Sequence, residues 1–137
     1  MRAQQIPTDR RYTAGHSWLA LAPGDHLADY PIRCGVAKAA VEGVDVVALD
    51  LPAVRSTVVI GAPCALIWTS ARGAITLAAP ITGLVTLANT AAVDDPRLVA
   101  ADPFHAGWLF AVLPTLTAST AGLLTAAQYA NGLGAAT

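Results

Sequence analysis

Charge is scarce in this chain. Only 12% of its 137 residues are charged, the formal net charge is -1, and from Phe104 to the C-terminus there is no Asp, Glu, Lys or Arg. A surface so sparse and so balanced provides no field to gather nucleic acid or an anionic membrane, so neither is expected as a partner. Lysine occurs once, as Lys38. Cys34 and Cys64 are the only cysteines, with no Cys-x-x-Cys and no histidine at ligand spacing, which excludes a metal or redox motif. They are expected as small buried hydrophobes in a reducing cytoplasm rather than as a disulfide. No Gly-rich phosphate loop, nucleophile elbow or apolar pair of carboxylates is present. The candidate nucleophiles Thr69, Ser70 and Cys64 have no base within sequence reach, so an independent enzyme is not expected. No apolar run follows Met1, so no signal peptide is expected. The window from Ala106 to Ala127 has the length of a membrane span, but Pro114, five threonines or serines and two glycines dilute it and no positive flank follows. It is not read as a transmembrane helix.

What is present is apolar. At 55% hydrophobic content, the chain is long enough to bury a core without staples. The expected organisation is a flexible leader over residues 1–11 and a single domain over 12–137. Tyr12 and Trp18 bracket a turn at Ala14-Gly15, and Pro23-Gly24-Asp25 makes another turn before a strand over Tyr30 to Cys34. A short helix is expected over Gly35 to Val41. Val44 to Leu51 reads as a strand stopped by Pro52. Gly61 to Gly83 reads as a β-hairpin whose small polar tip, Thr69 to Gly73, suits a tight or bulged turn. Arg72 in that tip is the only charge between Arg55 and Asp94. Leu84 to Asn89 continues as a strand. Asp94 or Asp95 is expected to cap a helical turn with Pro96 at its first position. A last strand over Trp108 to Val112 ends before Pro114. A helix from Leu116 to Asn131 should close at Gly132. Short strands with helices in few places argue for a mainly β sandwich or barrel.

Several of these stretches carry a resemblance. Tyr12-Thr13, His16 and Trp18 match a Tyr-Thr-x-x-His-x-Trp opening. Asp45-Val46-Val47 with Leu51-Pro52 matches a Gly-Asp-Val-Val-x-Val-x-Leu-Pro strand, with Val44 in the place of its glycine. Pro80-Ile81-Thr82-Gly83 and Asp102-Pro103-Phe104, followed by Gly107-Trp108-Leu109, match two further signatures. From about Tyr12 to Tyr129 the chain resembles the glycine cleavage system H protein family. The resemblance implies a lipoyl-domain-like hybrid barrel-sandwich with a short internal helix and a C-terminal helix.

In that family the hairpin tip reads Glu-Ser-Val-Lys-Ala and its lysine carries lipoate, which ferries an aminomethyl group between partner enzymes. Counting back from Pro80, Arg72 falls on the lipoyl-lysine position, and the tip is one residue longer when counted forward from Gly61-Ala62-Pro63. A guanidinium is delocalised and holds its proton, so it does not form the amide that lipoylation requires. The expectation is therefore no cofactor, although lipoate is the family's group. The chain is expected to be a non-lipoylated scaffold that docks to enzymes of glycine cleavage, lipoate metabolism or a specialised pathway. Trp68, Thr69, Ser70 and Arg72 are the contact candidates, with Arg72 available for a bidentate contact to a carboxylate or phosphate. The alternatives are a carrier modified at Lys38 or Cys64, or a small-ligand binder or enzyme using the vacated arm groove. A homodimer through the uncharged face of the C-terminal helix is also compatible with the sequence.

Overall fold

Alternation of apolar and small polar residues builds two antiparallel sheets around one core. The computed structural model describes residues 6–27 and 29–135. Its elements in chain order are β1 (Arg11–Tyr12), β2 (Ser17–Leu19), β3 (Ile32–Val36), α1 (Lys38–Val41), β4 (Val46–Asp50), β5 (Thr57–Val58), β6 (Pro63–Thr69), β7 (Gly73–Ala78), β8 (Gly83–Ala88), α2 (Thr90–Asp94), α3 (Arg97–Ala101), β9 (Phe110–Pro114) and α4 (Ala126–Ala135). The larger sheet has the order β1-β2-β3-β9-β8-β5 and the smaller one β4-β6-β7. Inward residues of both, among them Leu19, Cys34, Val36, Val85 and Val112 from the larger and Val46, Ala65, Ile67 and Leu77 from the smaller, form a single buried cluster. Each large aliphatic side chain buried in this way contributes on the order of 1.5–3 kcal/mol. The mainly β, lipoyl-domain-like architecture expected above is the one observed.

The outer face of the larger sheet is covered by a second, aromatic cluster. Tyr12, Trp18, Phe104 and Tyr129 pack there with Ala126 of α4. Tyr12 stacks on Tyr129 with ring centroids 4.8 Å apart, and backbone bonds between Tyr12 and Leu124 tie the start of the chain to the approach to α4.

Several boundaries differ from expectation. The C-terminal helix begins at Ala126, not near Leu116, because Leu124 is engaged with Tyr12 and Thr125 then caps the helix. The Thr125 hydroxyl accepts from the Gln128 N–H at 3.2 Å, while the Gln128 side chain accepts from the Thr125 N–H at 2.9 Å. This reciprocal capping box supplies two donors that would otherwise lack partners. The helix also passes through Gly132 instead of stopping there. Residues 106–127, considered above for a membrane span, divide between β9, a loop and α4. Among the described residues no helix is long and apolar enough to cross a membrane. The cap expected from Asp94 or Asp95 does not form. Asp94 and Asp95 instead end the unforeseen helix α2, Pro96 takes the cap position of α3, and Asp95 accepts from Arg97 Nε at 3.0 Å. In the expected leader, residues 1–5 lie outside the described residues, whereas Arg10 is buried and Arg11 opens β1.

His16 sits at the β1–β2 turn with φ 73°, and its Nδ1 shares a 2.6 Å hydrogen bond with the Tyr129 hydroxyl. Burial lowers the His16 pKa below its ordinary 6.5 and raises that of Tyr129 to about 12. With the folded value depressed, the unfolded chain binds the proton more readily. The stability associated with neutral His16 is therefore complete above pH 6.5 and is lost progressively as pH falls from there to the lower folded-state value. A His16→Gln variant should show a flatter dependence of Tm on pH below 6.5 than the unaltered chain, measured by thermal denaturation across a pH series. Identical curves would contradict this.

Candidate functional site

The β6–β7 hairpin holds the site, and its geometry follows from strand alternation. Along β6, Ala65, Ile67 and Thr69 turn inward while Cys64, Leu66 and Trp68 face out. Trp68 pairs with Ala48 of β4 on one side and Ala74 of β7 on the other. Two alanines leave the indole uncovered, and Trp68 is 40% exposed. Its Nε1–H donates to Asp50 Oδ2 at 2.9 Å, which fixes the ring's direction.

The tip is a three-residue loop, Ser70-Ala71-Arg72, closed by the Thr69–Gly73 pair. Gly73 has φ 70°, the left-handed position that follows a turn in a bulged three-residue hairpin loop. Thr69 ties the loop together, its hydroxyl donating to the Gly73 carbonyl at 2.9 Å and accepting from the Arg72 N–H at 2.9 Å. The Ser70 N–H donates to the Asp45 carbonyl at 3.1 Å. Arg72 is exposed, and its guanidinium has no hydrogen-bond or ion-pair partner among the described residues. The structure thus gathers Trp68, Thr69, Ser70 and Arg72, but in different roles. Trp68, Ser70 and Arg72 face solvent, whereas Thr69 is buried and acts as the internal brace.

Lys38 and Cys64 do not join this tip. Lys38 lies half-buried on α1, which packs against α3. Cys64 opens the outward row of β6 and lines, with Asp50, Leu51, Pro63 and Leu66, a groove of about 330 Å³. Burial pushes the Cys64 thiol up to about 11, so at neutral pH it is the poorly nucleophilic thiol. Cys34 is in the core, its pKa also raised by burial. The described residues contain no cluster of His, Cys, Asp or Glu able to hold a metal. Sequence reasoning missed Asp50. Its alternation with Ala48 on β4 was a usable signal for an outward carboxylate, but its bond to Trp68 depends on the register of β4 against β6, which pair directly although β5 lies between them in sequence.

Comparison with known proteins follows the same hairpin and sandwich. The family model described as "Glycine cleavage H-protein" matches residues 10–135. A glycine cleavage system H protein of Thermobifida fusca is 39% identical over 124 residues, 90% of this chain and 92% of that protein. One of Halorhodospira halophila is 34% identical over 126 residues, 91% and 92% respectively. The crystal structure of a glycine cleavage system H protein from Mycobacterium marinum superposes with TM-score 0.87 at 45% identity, covering 94% of this chain and 99% of that one.

These similarities overturn the expectation of no cofactor. The H proteins matched over nearly the whole chain are the lipoate carriers of glycine cleavage, and a cofactor's absence does not follow from one substituted side chain. The loop Ser70-Ala71-Arg72 itself carries no amine for amide attachment of that group, Arg72 being a delocalised guanidinium, and the sole lysine stands on α1. H proteins are carriers and not enzymes, in agreement with the sequence reading.

Proposed function

Starting from this chain's membership of the glycine cleavage H-protein family, we propose that it serves glycine cleavage by docking to the partner enzymes through the β6–β7 hairpin, with Trp68 and Arg72 as the principal contacts. The observation that carries this reading is a braced tip whose exposed guanidinium has no partner among the described residues, on the same hairpin as a fixed, 40% exposed indole. Tryptophan and arginine dominate the energetics of protein interfaces because each combines large contact area with directed donors. A tip already held by Thr69, Asp45 and Asp50 loses little conformational entropy on binding, which favours affinity. Arg72 suits a carboxylate or phosphate on the partner, bound bidentately. The apolar row of Leu66 and Cys64 and the groove beside them extend the contact surface along β6.

The partners proposed are the pyridoxal-phosphate decarboxylase, the folate-dependent aminomethyltransferase and the flavin dehydrogenase of glycine cleavage. The proposed setting is the cytoplasm, in keeping with two free thiols. Docking is a property of the protein surface and requires no step through a prosthetic group. Titration calorimetry of the purified chain against each partner enzyme tests the proposal. Binding is expected, with Trp68→Ala and Arg72→Ala each raising Kd about 10- to 100-fold, as hot-spot truncations do. The Arg72 effect should shrink at high salt. Leu116→Ala, in the exposed loop before α4, should leave Kd unchanged. Binding to none of the three enzymes, or equal Kd for all variants, would refute the reading.

A further inference from the structure

A second site lies on the other sheet. Trp18 of β2, Ala20 just after it and Arg33 of β3 face outward, and the loop 102–108 rises over them to form a cleft of about 310 Å³, lined also by Arg10, Phe104, His105 and Trp108. Two guanidinium groups meet this cleft. That of Arg33 lies 4.5 Å from the centre of the Trp108 ring and has no hydrogen bond or ion pair among the described residues. That of Arg10 lies 4.9 Å from the Trp18 ring and 5.8 Å from Phe104. Arg10 donates to the Phe104 carbonyl and to Asp9, both at 2.6 Å. Its side chain is only 10% exposed, and its Nε–H is buried without a partner.

The charge balance is one-sided. Two cations line the cleft, and among the described residues their only carboxylate partner is Asp9, which pairs with Arg10 and is itself 74% exposed. Arg10 is compensated by Asp9 and the Phe104 carbonyl, whereas the Arg33 guanidinium has no such partner among the described residues, so an anion in the cleft would complete the pairing of Arg33. Flat aromatic walls add a preference for a planar apolar body, while the volume, near the lower end for ligand sites, limits the occupant to a small molecule. We propose that this cleft binds a small organic anion, a carboxylate or phosphate carried on a flat apolar body, with Arg33 supplying the positive charge, the Asp9-paired Arg10 lining the cleft, and Trp108 and Phe104 the walls. The site is separate from the hairpin, which belongs to the three-stranded sheet, so its failure would leave the docking reading untouched.

The three tryptophans provide an internal control, since Trp68 is on the hairpin. Benzoate and phenyl phosphate, titrated into the full ¹⁵N-labelled chain, should shift the indole N–H signals of Trp108 and Trp18 saturably while that of Trp68 stays in place. The tighter of the two identifies the acid group. Uncharged benzamide should give no saturable shift. Arg33→Gln should weaken binding at least 5-fold. Ala20→Asp, which adds a negative charge at an exposed floor position without removing a contact, should abolish it in a chain whose Trp68 signal is unchanged. Benzamide binding as tightly as benzoate, inorganic phosphate matching phenyl phosphate, Trp68 moving with the other two, or both variants binding normally would each overturn the proposal.

Discussion

Replacing Trp18 by alanine is expected to cost about 3–5 kcal/mol of folding stability, the range for removing a buried large aromatic side chain. Trp18 is 1% exposed. Its Nε1–H donates at 3.1 Å to both the Val36 and the Pro103 carbonyls, so the indole pins the loop 102–108 to β3. Losing it opens a cavity and removes the donor from two carbonyls together, against a total stability of about 5–15 kcal/mol for a domain. Gly35 faces the same ring across the strand pair, and a Cβ there would stand 2.6 Å from indole carbons. Gly35→Ala alone should therefore destabilise by overpacking, by about 1–3 kcal/mol. In the Trp18→Ala background the added methyl enters the vacated space and should cost little or even restore stability. Urea denaturation of the two single variants and the double variant gives the coupling. Strict additivity would show that the two residues do not share one packing site.

The second large effect is expected at Gly83, the last residue of the Pro80-Ile81-Thr82-Gly83 signature. A Cβ at Gly83 would collide with the Leu113 carbonyl oxygen and come within 2.5 Å of Val112 Cγ1. The obstruction is mainly backbone of β9, which pairs with β8 here, while β5 pairs on the other side. Strands held from both sides have no direction in which to yield. Gly83→Ala should thus cost about 3 kcal/mol and lower Tm by roughly 10 °C. Gly122→Ala is the control, since a Cβ there meets nothing within 4 Å. A Gly83→Ala protein melting with the unaltered chain would refute the packing described for the β5-β8-β9 edge.

Legibility varied with the range of the interactions involved. The hairpin from Gly61 to Gly83 was readable because strand alternation and Gly73 act within a few residues. The Thr125–Gln128 capping box was equally local and equally readable, but apolar spacing from Leu116 onward drew the helix too early. Its true start depends on the bridge from Leu124 to Tyr12, whose partner lies at the other end of the chain. The helix expected at Pro96 does begin there as α3, yet neither Asp94 nor Asp95 caps it, because both are already engaged at the end of α2, which starts at Thr90 after the extended Asn89. The cofactor was misjudged for a related reason. One position of the tip does not decide a property that similarity over nearly the whole chain bears on.

By itself the sequence determined most of the extended segments, where the hairpin turns, that its tip carries a lone cation, and which family the signatures match. These depend on neighbours along the chain, whose backbone preferences and alternation are visible in one dimension. Only the tertiary structure decided that β3 lies against β9, that Asp50 holds Trp68 in place, and that Arg10 and Arg33 converge on one aromatic cleft. Those pairings arise because two sheets must bury their apolar faces around a common core. That requirement acts through space and is satisfied by the assembled chain as a whole.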